Sequence, residues 1–128
     1  MKTKSKSAEK KLILVVDDEK GIRNLLKRFL EMNNFEVITA SDGEEALGKI
    51  REYSPDAVIL DIIMPKMDGW EACREIRKDP IYKSIPILML TSKTSKVDKI
   101  TGLNIGADEY VTKPFELKEI LLRIKKLI

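Results

Sequence analysis

The period of hydrophobicity changes repeatedly along the chain. Short β-branched apolar runs, from Leu12 to Val16, Phe35 to Thr39, Ala57 to Leu60, Ile85 to Leu90 and Glu109 to Thr112, alternate with longer stretches whose apolar residues return every three or four positions. This alternation predicts five strands and five helices. In the first helix Ile22, Leu25, Leu26, Phe29 and Leu30 share a face, as do Leu117, Ile120, Leu121, Ile124 and Leu127 in the last. Ser41-Asp42-Gly43-Glu44-Glu45 reads as a capped start for the second helix, with acids near the positive end of its dipole and Ala46, Leu47 and Ile50 as its buried stripe. The third helix is predicted from about Asp68 to Lys78, closed off by Pro80, with Trp70 and Cys73 as packing residues and Met64 and Met67 shaping the loop over the candidate site at the strand ends. The fourth is predicted from about Lys96 to Asn104, carrying Val97, Ile100 and Leu103 and stopped by Gly106.

Strands such as AVIL and ILML are apolar on consecutive rather than alternate residues, the pattern expected when helices cover both faces of a parallel sheet. The predicted architecture is therefore α/β, a (βα)5 doubly wound sandwich. Ligands of open parallel sheets bind beyond the carboxyl ends of the strands, which directs attention to the residues that end each strand.

Composition narrows the possibilities. A chain of 128 residues fits one domain, and 43% hydrophobic with 35% charged residues is the balance of an aliphatic core under a densely charged surface. The opening residues, 1 to about 10, are almost all Lys, Ser, Thr and Glu and are expected to form a flexible basic tail, leaving 11–128 as the folded domain. No apolar run approaches the roughly 18 residues needed to cross a bilayer, and the start lacks the apolar stretch of a signal peptide, so a cytoplasmic location without a membrane partner is expected. With a single cysteine and no histidine there is no zinc cluster and no Ser-His or Cys-His catalytic set, and any phosphohistidine must come from another protein. The net charge of +3 owes much to Lys2, Lys4, Lys6, Lys10 and Lys11 and gives no reason to expect direct nucleic-acid binding.

The strand ends, taken in order, carry Asp17-Asp18, then Asp61, then Thr91-Ser92, then Lys113-Pro114. Three carboxylates gathered on one edge repel one another unless a cation sits among them, which implies a hard, oxygen-seeking divalent ion, with Mg²⁺ the natural choice. A carboxylate attacks phosphorus only where the charge on the phosphoryl oxygens is neutralised, and Lys113 supplies a second positive centre. Thr91 offers a hydroxyl, and Pro114, through a cis peptide, would fix the turn that aims Lys113 inward. These parts suit an aspartyl phosphate.

The stretches ILVVDDE, DGEEAL, PDAVILDIIMPKMDGWE, IPILMLTSK and GADEYVTKPF, in this order and spacing, resemble the receiver domain of two-component response regulators from about Lys11 to Ile128. The resemblance implies a flavodoxin-like sheet of strand order 2-1-3-4-5, as in chemotaxis regulators. It also implies Asp61 as phosphoacceptor, with Asp18, Asp61 and the backbone carbonyl of Ile63 as metal ligands and Asp17 acting through a metal-bound water. Thr91 and Lys113 would contact the phosphoryl group, and Thr91 with Tyr110 would form the switch. The phosphoryl donor would be a sensor histidine kinase or phosphotransfer protein, and the output surface would be the fourth helix, fifth strand and fifth helix, serving an output domain or downstream protein. Lys99, Glu109, Glu119 and Arg123 match a charged lattice through which some receivers dimerise on phosphorylation, whereas Ile105 departs from it. Ile63, two residues beyond Asp61, cannot orient an attacking water, so hydrolysis of the acyl phosphate is expected to be slow; Lys93 stands in the matching position after Thr91.

Plainer roles compete with these. Asp17 and Asp18 could cap the first helix, Asp61 could be a turn residue, Thr91-Ser92 a capping pair, Tyr110 a static strand residue and Lys113 a surface lysine. A phosphatase or phosphotransferase using an aspartyl phosphate would need a second acid, commonly two residues beyond the nucleophile, where Ile63 stands. A receiver-like docking module would be expected to have lost one of the acidic or lysine positions, and all are present.

Overall fold

The computed structural model describes residues 10–64, 66–92 and 106–128. Five strands, β1 (Leu12–Val16), β2 (Glu36–Ala40), β3 (Ala57–Asp61), β4 (Ile87–Ser92) and β5 (Glu109–Lys113), form one parallel sheet of order β2-β1-β3-β4-β5. Its helices are α1 (Lys20–Met32), α2 (Gly43–Tyr53), α3 (Gly69–Lys78) and a C-terminal helix (Leu117–Leu127). The expected helix over about 96–104, the residues Lys93, Lys99 and Ile105, and most of the basic tail lie outside the described residues. Among the described residues no helix is long and apolar enough to cross a membrane.

Side chains alternate across a strand, so each strand feeds two separate cores. Leu14, Val16, Val58, Leu60, Ile87 and Met89 pack with Ala46, Ile50, Ala72, Cys73 and Ile76 from α2 and α3. From the same strands, Ile13, Val15, Ile59, Leu88 and Leu90 face the other way and join Leu26, Leu30, Ile120 and Ile124 of α1 and the C-terminal helix. This two-sided burial is the physical reason for the unbroken apolar runs.

Several boundaries differ from the sequence reading. Phe35 is buried, but its N–H bonds the Leu30 carbonyl in the turn that ends α1, so β2 starts at Glu36. Ile85 is also buried, yet Pro86 has no N–H to give and β4 starts at Ile87. The later strands run further than predicted, taking in Thr91, Ser92 and Lys113. Leu25, assigned by its spacing to the buried face of α1, is 47% exposed, because it lies at the margin of the stripe set by Leu26 and Leu30. At α2 the expected cap is present: Asp42 accepts from the Glu45 N–H at 2.9 Å, and the Glu45 carboxylate reaches back to the Ser41 N–H.

Candidate functional site

Strand alternation sets the geometry of the carboxyl rim. Asp61, Lys113 and, just past its strand, Asp17 continue the rows of Ile59, Val111 and Val15, which face α1 and the C-terminal helix. Thr91 continues the row of Ile87 and Met89 on the opposite face, where Tyr110 also packs. The candidate phosphoacceptor and its lysine thus belong to one side of the sheet, and the candidate switch pair to the other. Both groups meet at the rim because β4 lies between β3 and β5, pairing Asp61 with Leu90 and Thr91 with Thr112.

Asp17, Asp18 and Asp61 each place a carboxylate oxygen so that all three lie within 4.8 Å of one another. Asp17 and Asp61 are buried, whereas Asp18 is exposed at the mouth. The Lys113 ammonium stands between the two buried acids, 3.3 Å from Asp17 Oδ2 and 3.3 Å from Asp61 Oδ1. The peptide that follows Lys113 is cis to Pro114, as expected. Asp18, Glu19, Asp61, Ile63 and Lys113 line an open pocket of about 220 Å³. A larger depression of about 400 Å³ at the β2 edge, lined by Lys10, Leu12, Glu31 and Phe35 to Ile38, lies away from this cluster.

The electrostatics of the rim are unbalanced. Burial, reinforced by the Asp17 charge and more weakly by Asp18, pushes the Asp61 carboxyl up to about 6, with Lys113 only partly opposing them. Burial by itself would depress the Lys113 ammonium, but the carboxylates of Asp61 and Asp17 outweigh it and raise it. A single lysine therefore fails to neutralise the group. Oxygen ligands only, three negative charges and an open side form a donor set that fits a hard divalent ion such as Mg²⁺ and would not suit a softer one.

Two glycines hold the rim in place. A Cβ at Gly69 would lie 2.7 Å from Ile62 Cα and closer still to the Asp61 carbonyl oxygen, so only glycine lets α3 begin against the backbone of the acceptor strand. Its N–H bonds the Ile62 carbonyl at 2.8 Å. At Gly43 a Cβ would lie 2.7 Å from the Met67 carbonyl oxygen, so glycine there lets the start of α2 support the loop after β3. Both residues occur within the quoted motifs, but their spacing alone does not reveal what they touch.

The sequence-predicted residues are thus brought together at Asp17, Asp18, Asp61 and Lys113. Thr91 is buried at the end of β4, Tyr110 is half-buried in β5, and Ile63 stands on the pocket lip, 68% exposed. The capping alternative for Asp17 and Asp18 gives way to a different arrangement. The N-cap of α1 is Glu19, without a side-chain cap, while Asp17 Oδ1 accepts from the Glu19 N–H at 3.0 Å. Arg23, which sequence spacing did not single out, donates from Nη1 to the Asp17 carbonyl at 2.8 Å.

Comparison with known proteins agrees with this geometry. The model of the response regulator receiver domain matches residues 13–125. The alkaline phosphatase synthesis transcriptional regulatory protein PhoP of Bacillus subtilis (strain 168) is 49% identical over 118 residues, covering 92% of this chain and 48% of that protein. The chain spans about half the length of the curated relatives it matches. Among solved structures, the chemotaxis protein CheY4 of Vibrio cholerae superimposes with a TM-score of 0.88 at 37% identity, covering 93% of this chain and 99% of that one. The Francisella response regulator 1452 receiver domain gives 0.86 at 35% identity, covering 91% and 95%. A parallel sheet with its acids and lysine at one rim, matched by a family model over nearly its whole length, makes this chain a member of the response regulator receiver domains, the signalling modules of two-component systems.

Proposed function

We propose that Asp61 accepts a phosphoryl group from the phosphohistidine of a sensor histidine kinase or phosphotransfer protein, and that the reaction depends on Mg²⁺. The observation that carries this reading is the convergence of Asp17, Asp18 and Asp61 within 4.8 Å, with Lys113 3.3 Å from the acceptor oxygen. Asp18, Asp61 and the Ile63 backbone carbonyl would hold the ion, and Asp17 would act through a bound water. Bound there, Mg²⁺ supplies the positive charge that lets a carboxylate and phosphoryl oxygens approach one another.

The residues of the chain do the rest. An Asp61 carboxylate oxygen attacks phosphorus, an O–P bond forms as the donor's N–P bond breaks, and the released imidazole nitrogen takes a proton from solvent. Lys113, already pointed at Asp61, pairs with a phosphoryl oxygen and keeps Asp17 as its second partner. The Thr91 hydroxyl donates to another phosphoryl oxygen, which favours the inward position of Tyr110 and shifts the population toward the active surface of β5 and the C-terminal helix. No acid stands at Ile63 to protonate a leaving group or activate water, which favours a long-lived acyl phosphate over phosphatase turnover. Such a donor reaction belongs in the cytoplasm.

The output is a separate domain or a downstream protein, a reading supported by the match to half of a transcriptional regulatory protein. Phosphorylation-dependent pairing of two copies through β5 and the C-terminal helix is a further part of the proposal. On that face Arg123 pairs with Glu109 and Glu119, and Lys126 reaches Glu109 at 3.5 Å, so pairing would exchange these bonds within one chain for bonds between two.

The test is incubation with acetyl phosphate and Mg²⁺ followed by intact-mass and peptide mass spectrometry. The expected result is one added HPO₃ on Asp61, lost when Mg²⁺ is chelated and absent in Asp61→Asn. Modification elsewhere, or equal labelling without the ion, would overturn the proposal.

A further inference from the structure

Asp17 is tied at four points. Its N–H bonds the Ala40 carbonyl at 3.2 Å, its Oδ1 accepts from the Glu19 N–H at 3.0 Å, its Oδ2 accepts from Lys113 at 3.3 Å, and its carbonyl accepts from Arg23 Nη1 at 2.8 Å. Three of these ties come from strands or from the adjoining turn. The fourth comes from a long side chain that reaches back from α1 to the acidic rim.

The start of α1 needs that tie. Its N-cap, Glu19, makes no side-chain cap, there is no acidic residue in the first turn, and exposed Gly21 adds backbone freedom with open space around it. At α2 and α3, by contrast, Asp42 and Asp68 cap their helices through the N–H groups of Glu45 and Glu71. The turn bearing Asp17 and Asp18 thus enters a helix whose own end is weakly fixed. Arg23 fastens this turn to the helix through a charge-assisted bond to a backbone oxygen.

We infer that Arg23 is a positioning residue for the divalent-ion site, holding the backbone of Asp17 so that Asp17 and Asp18 present their carboxylates toward Asp61. This inference rests on the reading of the cluster as a Mg²⁺ site. Partners behind a metal ligand that fix its orientation commonly govern affinity by roughly tenfold or more when removed. The sign of the effect separates positioning from charge. Arg23 is a cation beside a cation site, so deleting its charge would by itself tighten Mg²⁺ binding, whereas losing its grip on Asp17 weakens it.

The experiment measures the urea unfolding midpoint of the whole chain as a function of Mg²⁺ concentration, since an ion that binds only the folded state raises the midpoint over the range in which it binds. Arg23→Met removes charge and donor with a similar stem, and Arg23→Lys restores both. The midpoint without Mg²⁺ reports any purely structural loss for each variant and is subtracted. The wild type is expected to respond, Arg23→Met to need about tenfold more Mg²⁺ for the same response, and Arg23→Lys to fall within about threefold of wild type. If Arg23→Met responds at the wild-type concentration or below, or if Arg23→Lys is as impaired as Arg23→Met, the positioning role is overturned while the Mg²⁺ site stands. A wild type indifferent to Mg²⁺ would overturn the site and the inference together.

Discussion

At the amino-terminal rim of the sheet, Asp56 accepts from the first N–H of β1, at Leu12, at 2.7 Å, and Asp108 accepts from the first N–H of β4, at Ile87, at 2.8 Å. Asp108 also pairs with Arg77, whose guanidinium donates to the carbonyls of Lys83, Ile85 and Gly106 and so joins α3 to the segments before and after β4. At the carboxyl rim the acids Asp17, Asp18 and Asp61 face one another, with Lys113 3.3 Å from Asp17 and from Asp61. Identical side chains on one sheet are thus spent differently: one rim matches each carboxylate to a donor and gains stability, while the other gathers carboxylates and gives stability up for a site that can take a cation and a phosphoryl group.

The contrast predicts substitutions of opposite sign. The larger effect is expected at the amino-terminal rim, where Arg77→Met takes the guanidinium from the carbonyls of Ile85 and Gly106 and leaves the Asp108 carboxylate with the Ile87 N–H as its remaining donor. A loss of about 2 to 3 kcal/mol is expected from urea denaturation; a variant as stable as wild type would mean that this rim is not the stabilising one.

At the carboxyl rim Asp61→Asn is expected to stabilise the ion-free protein. The folded-state value of about 6 for Asp61 lies above the ordinary 3.8, so between these values the folded chain holds a proton that the unfolded chain has released. Stability of the wild type therefore falls as pH rises from about 4 to about 6 and is level above that. Asn carries no such proton, and Lys113 keeps Asp17 as its partner. The advantage of Asp61→Asn should grow across this window to about 1 to 3 kcal/mol at pH 7, and Mg²⁺ should narrow it. Parallel pH profiles for the two proteins would break the comparison.

Much of this was legible in the sequence because it depends on local pattern. Consecutive apolar residues in AVIL and ILML pointed to the buried parallel strands, and the polar residues that end such runs pointed to Asp17, Asp61, Thr91 and Lys113 as rim residues. Where the pattern misled, a backbone hydrogen bond intervened: the N–H of Phe35 is used by the turn after α1, and Pro86 has none to start β4 one residue earlier. Leu25 shows the limit of helical period, which marks a stripe but not its edge. Arg23 and Arg77 escaped notice for another reason. Each acts by reaching a backbone carbonyl, in Arg77 one 29 residues away, and a carbonyl has no sequence identity to recognise.

The most direct measurement is a carbon-13 NMR titration of the Asp61 side-chain carboxyl, with and without Mg²⁺. If like charges and burial create the demand for a cation, Asp61 titrates near pH 6 in the ion-free protein and moves to distinctly lower pH when Mg²⁺ is added. A midpoint near 4 that Mg²⁺ does not move would contradict the account.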